Sequence, residues 1–246
     1  MPDFEGSTLW RISAFDLLRE TAASATHAGL KRQTLLSTTL QAELRLMERR
    51  HDGAEPLEAI AACVRLREPA LVYLQYQESI WPITLFPAEM LYHSPRSLLL
   101  GVQRSMRSVK LVDIEPPGVR PPGHWMHDRI AKSDSYHPLT PALWKLALHG
   151  PRARLLAEID GPAAYRVLRS LGGQNLATPG ALGPVAERLR KQAAPLRKMA
   201  LWPGMNIERA SRMLNALYLT SNLIVSRTHP EARPGALEWL LGRWAR

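Results

Sequence analysis

Leu36, Leu40, Leu44 and Met47 recur at spacings of four, four and three, which lays them along one side of a helix predicted over 33–50 and closed by Asp52-Gly53. Upstream, Ser13-Ala14-Phe15-Asp16 is a capping-box-like start with Asp where Glu is usual, and it leads into Leu17, Leu18 and Ala22, predicting a first helix over 13–25. Pro56 opens a third helix that runs through about Leu66 and stops at Glu68-Pro69. At Ala70 the texture changes. Residues 71–76 and 80–86 are β-rich runs separated by Gln77-Glu78-Ser79, which predicts a hairpin, and Pro82 puts the second run at a sheet edge or a bulge. Residues 89–93 and 109–114 add further strands. Helices on a small, mostly antiparallel sheet make the first lobe α+β.

Pro116-Pro117-Gly118 and Pro121-Pro122-Gly123 are stiff and cannot join a helix or a central strand, so they mark a boundary. The division read from this is 1–115 as a sensory or interaction lobe, 116–139 as a Pro/Gly/His-rich connector, and 140–246 as a helical lobe. Thr140-Pro141 starts a helix ended by Gly150-Pro151, two short helices are predicted over 152–159 and 163–171, and Pro184 begins a basic helix through about Met199. From the N-cap Asn206, the positions Ala210, Met213, Leu214, Leu217 and Tyr218 form a full helical stripe, opposite Arg209, Arg212 and Asn215. The β-branched run 223–226 follows as a strand. Short helices, then an amphipathic helix flowing into a short apolar strand, is an order that resembles winged-helix modules, and the resemblance implies a recognition helix over 206–219.

Charge sharpens this division. Of 32 Lys+Arg and 22 Asp+Glu, residues 1–130 hold 15 and 15, which leaves 17 and 7 for residues 131–246; the whole net charge of +10 therefore sits in the second part. A field that one-sided suits an anionic partner, an acidic protein face, nucleic acid or an anionic membrane surface. Arg-, Pro- and Ala-rich usage of a bacterial type also follows from a GC-rich genome, in which case the cations are a solvated surface. Hydrophobic residues at 46% and charged residues at 22% of 246 are ordinary globular values. The N-terminus is acidic, without the basic and apolar regions of a signal peptide, and the uncharged run 213–226 is shorter than the ~20 residues of a membrane span. With one cysteine, Cys63, in an apolar run, the expectation is a soluble cytoplasmic protein with a buried, inert thiol.

Candidate chemistry is sparse. His124 and His127 would lie one helical turn apart, with Asp128 or His137 as a third metal ligand and Asp134 nearby, but the pattern is not His-Glu-x-x-His. Ser94 beside His93 is only a dipeptide, and neither a nucleophile elbow nor a glycine-rich phosphate loop occurs; Gly172-Gly173 reads as a turn. No motif requires a cofactor. The basic segments carry the most information: Arg188, Arg190, Lys191, Arg197 and Lys198 on one predicted helix, Arg209, Arg212 and Asn215 on the next. In the tail, Leu237, Leu240, Leu241 and Trp244 share a face that packs on its own domain, on a partner or on an anionic membrane. The reading is a non-enzymatic regulatory or signalling protein whose basic lobe contacts an anionic partner, with DNA among the candidates. A protein-interaction adaptor that binds no nucleic acid is the alternative, and a metal-dependent enzyme using His124, His127 and Asp128 is the third.

Overall fold

β2 (Ala70–Tyr76) and β3 (Ser79–Phe86) form the hairpin that their alternation predicts, closed by a two-residue turn in which Gln77 takes a positive φ of 55°. They belong to a computed structural model that describes residues 10–27, 36–49, 55–98, 106–124, 135–173 and 176–232. The chain divides into two compact units, 1–142 and 143–246.

In the first unit the hairpin lies inside a six-stranded antiparallel sheet, ordered β5-β2-β3-β4-β6, with β1 (Trp10–Arg11) also on β3. β4 (Leu91–His93), β5 (Lys110–Glu115) and β6 (Tyr136–Pro138) complete it, so the 116–139 stretch itself supplies a strand. Ala70, Val72 and Leu74 bury one face with Trp81, Ile83 and Leu85. On the opposite face Tyr73 meets Phe15 of α1 (Ile12–His27), ring centroids 4.8 Å apart. α2 (Thr38–Arg49) packs on α3 (Pro56–Leu66), and a cavity of about 160 Å³ lies between them and β5.

Pro82 is not at a sheet edge, because β3 is an interior strand. A two-residue turn makes Tyr76 and Ser79 a hydrogen-bonded pair, and alternation then makes Tyr73 and Pro82 a non-bonded one. The nitrogen of Pro82 thus points to the other side, between the pairings of β1 at Ser79 and Ile80 and of β4 from Thr84 onward. No ladder bond is lost there.

The second unit departs further from its sequence pattern. α4 (Leu139–His149), within which the boundary between units falls, ends before an irregular stretch over 150–163, where a helix over 152–159 is expected. The Leu156 amide that such a helix would use donates instead to Asn215 Oδ1 at 2.9 Å, and Arg152 turns its own Nε onto the carbonyls of Arg154 and Leu155, 3.1 Å each. Nor is 163–171 a helix. Ala164–Val167 is strand β7, with Ala164, Tyr165 and Val167 buried and Arg166 exposed, and it pairs with the expected strand β8 (Leu223–Ser226). The basic helix is two: α5 (Leu182–Lys191) stops short of Pro195, which cannot continue it, and α6 (Leu196–Ala200) follows. α7 (Ile207–Leu219) starts as the cap predicts, Asn206 Oδ1 accepting the Arg209 amide at 2.7 Å.

Candidate anionic-partner surface

On α5, Leu182, Val185, Ala186 and Leu189 are buried at spacings of three, one and three, which turns Arg188, Arg190 and Lys191 outward. Each of the first two arginines is braced. The Arg188 guanidinium lies 4.3 Å from the ring centroid of Trp202, and Arg190 Nε donates to Glu187 at 2.9 Å. Glu187 also accepts from Ser170 Oγ at 2.7 Å, and this bond, with that of Arg190, holds its carboxyl below the usual range. Arg166 on β7 donates to the Arg190 carbonyl at 3.3 Å, so the end of α5 is tied to the two-stranded sheet. On α6, Met199 is buried while Arg197 and Lys198 are exposed. Arg209 is also exposed, its Nη1 donating to the Gly204 carbonyl at 2.6 Å.

Arg212 and Asn215 do not belong to this surface. Expected on the outward side of α7, they are only 6% and 0% exposed. Arg212 Nη1 donates to the Gly150 carbonyl at 2.7 Å and to that of Leu148 at 3.4 Å, while its Nε binds Glu208 at 2.9 Å. Asn215 Nδ2 donates to the Arg154 carbonyl at 2.9 Å. Both side chains supply partners that the end of α4 and the irregular stretch lack, so their polarity serves the interior.

Sequence reasoning passed over Leu201 and Ile207, which are 86% and 53% exposed at either end of the turn joining α6 to α7. Their signal was available. Leu201 falls outside any helical stripe and precedes Trp202-Pro203-Gly204, a turn sequence.

The histidine cluster is only partly within the described residues, since His127, Asp128 and Asp134 lie outside them. His137 sits on β6, its ring 5.1 Å from that of Tyr92 and its Nε2 3.3 Å from the Ser94 carbonyl oxygen. His93 packs edge-on against Tyr136 at 5.0 Å, and Tyr136 donates its hydroxyl to the Arg120 carbonyl. Among the described residues no three metal-binding side chains converge. Cys63 is buried, and burial pushes its thiol up to about 12, so it stays protonated at neutral pH. The cavity of about 160 Å³ beside β5 is below the roughly 300–1,000 Å³ of small-molecule sites. Among the described residues no helix is long and apolar enough to cross a membrane. The tail positions Leu237, Leu240, Leu241 and Trp244 lie outside the described residues.

Comparison of the chain with protein-family models, curated proteins and solved structures finds no match.

Proposed function

We propose that this is a non-enzymatic regulatory or signalling protein of the cytoplasm, in which the first unit is an interaction module and the second an effector that contacts an anionic partner. The observation that carries the reading is the outward set Arg188, Arg190, Lys191, Arg197 and Lys198, gathered on two consecutive helices in which Glu187 is the one acid. Apart from the short helix α6 between α5 and α7, the order α4, β7, α5, α6, α7, β8 resembles a winged helix, with α7 in the recognition position. Yet α7 spends Arg212 and Asn215 inside the unit. Contact with phosphates or carboxylates through α5 and α6 is therefore favoured over reading of base edges. The burial of those two residues equally favours the second reading, an adaptor whose basic helices meet an acidic protein face.

Salt-dependent retention on heparin, together with binding to duplex DNA, tests the proposal. The triple change Lys191→Glu, Arg197→Glu, Lys198→Glu should shift elution to markedly lower salt with the thermal midpoint nearly unmoved, since exposed charges contribute little to folding. Identical elution of wild type and variant would refute the anionic-partner reading. Retention on heparin without DNA binding would leave the adaptor reading in place.

A further inference from the structure

Besides its cations, the turn between α6 and α7 presents two large apolar side chains to water. Leu201, 86% exposed, directly follows α6 at its C-cap, and Ile207, 53% exposed, begins α7. The turn between them is held tightly. The Met205 amide donates to the Trp202 carbonyl at 3.0 Å, and Trp202 is buried beneath Arg188. Gly204 takes a φ of 74°, and any Cβ there would come within 2.8 Å of the Ala181 side chain. The protrusion is thus a fixed feature of the unit.

Cations surround it. Arg197 and Lys198 precede Leu201 by one turn of α6, Arg188 lies over the neighbouring Trp202, and Arg209 is bonded to the Gly204 carbonyl. Glu208, the acid beside Ile207, is engaged by Arg212 at 2.9 Å. We infer that this turn is a membrane-surface contact, with Leu201 and Ile207 entering the interfacial region of an anionic bilayer while Arg188, Arg197, Lys198 and Arg209 meet lipid phosphates.

The inference rests on the anionic-partner reading above and names the partner. A nucleic-acid backbone attracts the cations but takes up an exposed leucine only where base steps are unstacked to admit it, at an energetic cost. An acidic protein would need a pocket shaped to this convex turn. A bilayer accepts a convex apolar tip without such complementarity, and its headgroups supply the matching charge. The cytoplasmic leaflet of cells is anionic, in keeping with the sign of this surface.

Sedimentation of the full chain with phosphatidylcholine vesicles, with and without phosphatidylglycerol, tests this. Wild type should bind only the phosphatidylglycerol vesicles and be released by salt. Leu201→Ser with Ile207→Ser should weaken that partition by about tenfold or more, through lost apolar insertion. Its heparin retention and thermal midpoint should match wild type, because both side chains are already exposed. Equal vesicle binding by the double variant and wild type would overturn the inference. So would heparin or DNA retention with no vesicle binding, although the broader proposal would then stand. Binding to none of the polyanions would remove both.

Discussion

α5 and α7 are both amphipathic, both arginine-bearing and both part of one unit, yet they use their polar residues in opposite directions. α5 buries four apolar side chains and turns Arg188, Arg190 and Lys191 to solvent. On α7 everything from Ala210 to Leu217 is buried, Arg212 and Asn215 included. The difference lies in the neighbours. The stretch α7 packs beside, 148–156, has backbone groups with no helical or strand partner, and a buried amide or carbonyl left unpaired costs about 1–3 kcal/mol. A polar side chain opposite such backbone is drawn inward.

The largest effect expected from this contrast is at Asn215. Asn215→Ala should cost about 2–5 kcal/mol of unfolding free energy, because the Leu156 amide and the Arg154 carbonyl both lose their partner. Urea denaturation measures it, and a loss well under 1 kcal/mol would mean that water replaces the side chain and that α7 is less enclosed than described.

The same residue type on the two helices gives the next test. Arg212→Ala should destabilise by about 1.5–3 kcal/mol, as hydrogen bonds to a charged donor are lost from buried carbonyls, whereas Arg190→Ala should stay within about 0.5 kcal/mol. Equal costs for both would erase the distinction between the helices.

The smallest effect is on pH dependence. His149 is held below its ordinary 6.5 by burial, and then by the charges of Lys145 and Arg212. The folded chain therefore takes up a proton less readily than the unfolded one, so stability should fall as pH drops below 6.5, the change being modest at a site open to solvent. Urea midpoints at about pH 7.5 and about pH 5.5, compared between wild type and His149→Asn, should show a smaller drop in the variant. An identical drop would assign the pH response elsewhere.

Where structure depends on near neighbours, it was legible in the sequence. α3 runs over Pro56–Leu66 as its opening proline and closing Glu68-Pro69 indicate, and Asn206 caps α7. Over β7 the local pattern predicts a helix, because the strand partner lies at 223–226, far outside any local window, and Ala, Tyr, Arg and Val fit either period over four residues. The site was legible to the same depth. Periodicity identified the outward cations of α5, but on α7 it could only divide apolar from polar, and the backbone that claims Arg212 and Asn215 comes from a non-helical stretch sixty-odd positions earlier.

The pairing of β7 with β8 also sets an order of events during biosynthesis. Tyr165 is joined to the Ala194 backbone and, through its hydroxyl, to the Ile159 carbonyl at 2.6 Å, contacts that can form soon after those residues leave the ribosome. The strand's other edge has to wait for Leu223–Ser226, and the irregular stretch waits somewhat less, for Asn215 of α7. The hairpin of the first unit closes over a two-residue turn, so it needs no such delay. A nascent chain halted before residue 223 would carry an open strand edge at Ala164–Val167, the kind of surface that recruits other chains.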